Sequence, residues 1–91
     1  MMYNVNDVVS LKLSSGDEVI GRFQETTTGK IALKKPCTFM MGQQGIGLVP
    51  YAFSADEDAT LEFGTDFIVV SFKTSKMIAD QYIKQTTGLL L

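Results

Sequence analysis

The chain has 91 residues, 45% of them hydrophobic, with eight basic and ten acidic side chains and a formal charge of −2. That length supports one modest core and leaves no room for a second domain, so residues 1–91 are read as a single unit. The charge gives no whole-protein attraction for nucleic acid, and the absence of histidine removes the usual general base and the commonest transition-metal ligand, which argues against an enzyme.

Met1 to Asn6 is a short lead-in that lacks the basic start and apolar centre of a signal peptide; Tyr3 and Val5 are candidates to cap one end of the core. From Val8 to Leu13 the chain alternates, with Val9, Leu11 and Leu13 on one side and Ser10 and Lys12 on the other, the period of a half-buried strand. Ser14 to Asp17 supplies a turn, because Gly16 takes a positive φ without a Cβ clash. A second alternating run follows, with Val19, Gly21 and Phe23 facing one way and Ile20, Arg22 and Gln24 the other. The two runs are expected to pair as an antiparallel hairpin. Gly21 inside the second strand marks a bulge, a sharp bend or a close backbone approach, and so a small, curled barrel.

Glu25 to Lys30 reads as a polar connector turning at Gly29. Ile31, Leu33, Phe39 and Met41 resume an extended pattern broken at Lys34-Lys35-Pro36, where proline places the third strand at an edge or bulge. After the connector Gly42 to Gly45, the residues Ile46, Leu48, Tyr51 and Phe53 suggest a fourth strand, bent at Pro50. Ser54 to Asp58 is an acidic exposed loop, and Leu61 with Phe63 a short extended piece. Phe67-Ile68-Val69-Val70 is nearly continuous apolar, as in a strand buried on both faces or one that pairs in an interface. Ser75 is a plausible N-cap for a C-terminal helix to about residue 87, with Met77, Ile78 and Tyr82 on a shared face and Gly88 after its end. Leu89 to Leu91 forms an apolar tail expected to pack back on the domain or to meet a neighbour. No apolar run is long enough for a helix to cross a bilayer, and the lone Cys37, a small buried hydrophobe in this reading, agrees with a reducing, cytoplasmic location.

The segment Val9-x-Leu-x-Leu-x-x-Gly-x-x-Val-x-Gly-x-Phe23, followed by Ile31-x-Leu33, resembles the first sequence motif of the Sm and Sm-like family. The resemblance implies a mainly β fold: a small, strongly bent, five-stranded antiparallel barrel of the Sm-like (SH3-like) kind, here with one C-terminal α-helix. It also implies subunits that close into a homo-oligomeric ring by pairing the fourth strand of one with the fifth of the next. Phe53, Phe67, Ile68, Val69 and Val70 are the candidate interface residues on that reading. Members that bind uridine-rich RNA carry an Asp-x-aromatic-Asn element before the third strand and an Arg-Gly element near the fifth. Thr26 to Lys30 and Val70 to Thr74 lack both, and the family helix is usually N-terminal, so the chain resembles a divergent branch, similar to some small phage-encoded members.

On position alone, Lys30, Phe72 and Lys73 are the candidate nucleic-acid contacts, the lysines for phosphates and the ring for stacking on a base. The plainer reading has both lysines solvated and Phe72 in the core. Asp56-Glu57-Asp58 lacks the spacing of a calcium loop, Cys37 has no histidine partner, and Gly42-x-x-Gly45-x-Gly47 lacks the order of a phosphate-cradling loop. No catalytic residue, metal or cofactor is therefore expected. The leading expectation is a ring subunit that binds RNA or single-stranded nucleic acid; the rival is a ring-shaped protein-interaction scaffold, viral or host-modifying, that does not.

Overall fold

A computed structural model describes residues 3–87. Within that range six strands form one antiparallel sheet: β1 (Val8–Leu13), β2 (Glu18–Thr27), β3 (Lys30–Gly42), β4 (Gly45–Pro50), β5 (Thr60–Gly64) and β6 (Ile68–Lys73). A 3-10 turn, Thr65–Phe67, joins β5 to β6, and a helix, α1 (Lys76–Thr87), follows. The ladder order is β4-β3-β2-β1-β6, with β5 also on β3. The sheet thus has six strands where five were expected, and its ladder is not closed. The sixth is the Leu61–Phe63 piece, which extends into a full strand opposite Lys30–Lys34. The 3-10 turn spans the gap instead, with Thr65 N–H donating to Gly29 O at 2.8 Å and Ser14 N–H to Phe67 O at 2.8 Å.

The β1–β2 hairpin forms as its alternation requires, and Gly16 turns it at φ 98°. Val9, Leu11, Leu13, Val19 and Phe23 join Ile31, Leu33 and Phe63 in one apolar core. Gly21 lies at a close approach of β2 to β3. A Cβ there would sit 2.9 Å from Leu33 Cβ and 3.2 Å from the Lys34 carbonyl oxygen. The β2–β3 register slips at this same point, between Ile20 and Arg22, so the missing side chain is what lets the two backbones converge as the ladder shifts.

One step further along, β3 changes partners. Lys30–Lys34 pairs with β5, and Cys37–Gly42 pairs with β4 along the same edge. The break falls at Lys35-Pro36, where proline withholds a ladder donor and Lys35 adopts φ 51°. An L-residue in that region is strained, and several contacts hold it there. Lys35 N–H donates to Ala59 O at 3.0 Å, its Nζ donates to Thr86 O at 3.1 Å, and Tyr82 Oη donates to Lys35 O at 2.7 Å and to Lys34 O at 3.1 Å.

Tyr82 belongs to a second core on the opposite face of the sheet, where α1 covers Ile20, Cys37 and Leu48, with Ile78 and Ile83 packed beside them. Ser75 holds the N-cap position, its carbonyl accepting from Ala79 N–H at 2.8 Å, and Gln85 Nε2 donates to Leu48 O. Both faces of β2 are therefore buried: Val19 in the first core and Ile20 under the helix. Cys37 is buried, and burial pushes its thiol pKa up.

Several expectations change. Met77 faces solvent and does not share the buried stripe of Ile78 and Tyr82, and Val5 is exposed while Tyr3 alone of the two reaches the core, its ring 5.6 Å from Phe23. The fourth strand ends at Pro50; Tyr51 then turns inward against Phe63, whereas Phe53 points out. Gly88 and the Leu89–Leu91 tail lie outside the described residues.

Two outcomes follow from these junctions. Gly21→Ala should destabilise the fold by about 1–3 kcal/mol in urea unfolding, because the added methyl is met by backbone and a packed leucine. Tyr82→Phe should cost about 1–2 kcal/mol by removing the one O–H donor that the Lys34 and Lys35 carbonyls share. Burial, and to a lesser degree the nearby Cys37, raises the Tyr82 pKa above its ordinary 10.0. The folded state therefore holds the proton where the unfolded chain loses it, so this stabilisation is complete below pH 10.0 and declines as pH rises past it. Wild type and Tyr82→Phe should converge in stability across that window; a constant difference would refute the assignment.

Candidate functional site

Edge strands expose a row of unpaired N–H and C=O groups, which natural sheets usually guard with charge, proline or cover. Among the described residues three strands have a single partner: β4, β5 and β6. β5 carries Glu62 and follows the acidic Asp56–Asp58 loop, so it is guarded by charge. The other two are nearly without charge, although β4 ends in Pro50 and its Leu48 O accepts from Gln85 Nε2 of the helix. No charged residue occurs from Pro36 to Ala55, the stretch that contains β4, nor from Phe67 to Phe72, the stretch that contains all of β6 except Lys73.

Both bare edges are also apolar. On β6, Val69 is 69% exposed, Val70 and Phe72 are partly so, and Phe67 just before them is 66% exposed. Thus Phe67–Val70 is not a strand buried on both faces. Ile68 alone of the four turns inward, packing beside the first core. The β1–β6 register shifts between Lys12 and Leu13, so Val69 is the extra residue of a bulge, which explains why the exposed valines are adjacent rather than alternate. On the other edge Ile46 of β4 is exposed, and Met40 and Met41 are exposed on the neighbouring β3 of the same hairpin, around Gln43-Gln44. The sequence placed Met41 and Ile46 on strands but made none of the three a candidate interface residue. The signal that would have found them is the long interval without charge.

The remaining candidate residues are scattered. Phe53, 83% exposed, stands in the loop after β4 and on neither edge strand. Lys30 opens β3 opposite Gly64, and its Nζ is 3.8 Å from Glu62 Oε1. Lys73 closes β6 opposite Val9, with Nζ 3.6 Å from Asp7 Oδ2. Lys30 therefore lies by the turn that enters β6 and Lys73 at the far end of that strand, about 16 Å of extended chain away. Phe72, 41% exposed, adjoins Lys73 but not Lys30. Lys35 and Lys76 are likewise matched, by Asp58 at 3.3 Å and Asp80 at 2.8 Å. These exposed pairs contribute little to stability, yet among the described residues they leave no run of uncompensated positive charge around the three candidate contacts.

Among the described residues, no group of three or more histidine, cysteine or carboxylate side chains is placed to hold a metal ion, and no helix is long and apolar enough to cross a membrane. The sequence matches no family model and none of the curated proteins with which it was compared.

Proposed function

We propose that this chain is a self-assembling, Sm-like subunit whose copies pair the β4 edge of one with the β6 edge of the next to form a closed homo-oligomer, and that the assembly serves as a protein-interaction scaffold. The observation that carries this reading is the pair of single-partner edges without charge. β4 and β6 each have six residues, neither is blunted by charge along its length except at Lys73, and both present exposed apolar side chains. In a monomer such edges are aggregation sites; joined head to tail by a rotation that closes, they are consumed and nothing remains to propagate. Val69, Val70 and Phe67 enter this interface directly, and Ile68 supports it from the core side.

The scaffold reading is favoured over nucleic-acid binding because Lys30 and Lys73 each face a carboxylate and stand at opposite ends of β6. Phe72 beside Lys73 is the one feature that speaks for RNA, an aromatic face next to a cation.

The expected result for Val69→Glu is a folded monomer. On the exposed side of a free chain the change costs within about 0.5 kcal/mol, whereas in the paired edge it buries a charge; light scattering that finds the mass unchanged would remove β6 from the interface. Native mass spectrometry with oligouridine and oligoadenosine should give assemblies without bound RNA. Retained RNA would favour the second reading, and replacing Lys30 and Lys73 by alanine should then reduce the salt slope of binding by about 0.7 for each phosphate that a lysine no longer neutralises.

A further inference from the structure

A cavity of about 360 Å³ opens where the loop after β4 passes over the β3 break and the end of α1. Its apolar lining includes the buried Pro36 and Cys37 and the half-buried Ala59 and Leu61, with Pro50 exposed beside them. Its rim is different in kind: Phe53 on one part and the carboxylates of Asp56 and Glu57 on another. Among the described residues the one cation in the wall, Lys35, is already satisfied by Asp58 and the Thr86 carbonyl. Asp56 and Glu57 have no ion-pair partner among the described residues, and Phe53 leaves most of its ring in solvent.

We propose that this cavity is a binding site for a cation carried on an apolar stem, the chemistry of a lysine or arginine side chain. The stem replaces water over the proline, alanine and leucine lining, and the charged head stays at the mouth, against two carboxylates and the face of an aromatic ring. The charged rim of the site lies in the loop at Phe53–Glu57, off both edge strands, while Pro50 of its lining closes β4. The site gives Phe53, which lies off both edge strands, a role of its own.

The test is an amide NMR titration of the full chain with n-butylammonium, the lysine side chain without its backbone, and with n-butanol as the neutral control. Saturable shifts confined to the 52–59 loop and the end of α1 are expected for the amine only. Asp56→Asn with Glu57→Gln should weaken binding by about fivefold, and Phe53→Leu by about two- to fivefold, with the spectrum of the free protein otherwise intact. A blocked Ala-Lys-Ala peptide that binds more tightly than the amine would identify a peptide as the source of the cation; equal or weaker binding would identify a free amine. Shifts that do not saturate, that n-butanol reproduces, or that the carboxamide variant leaves unchanged would overturn the proposal. Phe53, Asp56 and Glu57 lie off both edge strands, so a failed titration leaves standing the edge-pairing reading, which the mass of the assembly tests separately.

Discussion

The close approach of β2 and β3 at Gly21 is the constraint on which the rest of the molecule depends. With no side chain between them, the backbones converge on Leu33 and Lys34, and the register slips there. Immediately beyond, Lys35-Pro36 breaks β3, so that one strand serves β5 with its first half and β4 with its second. That division separates the two structural jobs of the sheet. The first half encloses the core of Val9, Leu11, Leu33 and Phe63; the second half carries the hairpin with exposed Met40, Met41 and Ile46. Tyr82 locks the junction from the other face by donating to both carbonyls at the break, which makes the helix a clamp on the bend as well as a cover.

The parts of this architecture governed by local rules were legible in the sequence. The β1–β2 hairpin follows from alternation and from Gly16, and the helix from its N-cap and its Ile78–Tyr82 spacing. Gly21 signalled a close approach before any partner was known. What the sequence concealed was set by distant contacts. Ile20 alternates as though it faced solvent, and only the arrival of α1 buries it. Leu61–Phe63 is too short a pattern to claim a strand until β3 offers it an edge. Phe67–Val70 has no period because a bulge at Val69 turns adjacent valines outward, so it was equally consistent with a buried strand. The electrostatics of Lys30 and Lys73 were hidden for the same reason: Glu62 and Asp7 become their neighbours only through strand pairing.

Charge is distributed in a way that suits the proposed assembly. The carboxylates of Asp56, Glu57, Asp58 and Glu62 gather on the loop and strand beside β5, while β4 is bare of charge and β6 bears only Lys73 at its end. The sheet thus concentrates charge on one edge and leaves two edges of equal length nearly without it. The cavity beside Phe53 is lined by residues from this acidic loop as well as by Pro50 at the end of β4.

The most direct test of this account is amide hydrogen exchange of the wild-type protein across a range of concentrations. Edge pairing predicts that β4 and β6 amides pointing away from β3 and β1 gain protection together as concentration rises, while those of the Asp56–Asp58 loop stay fast. Exchange of both edges at unprotected rates at every concentration, with the β1–β2 hairpin protected as a folded reference, would contradict it.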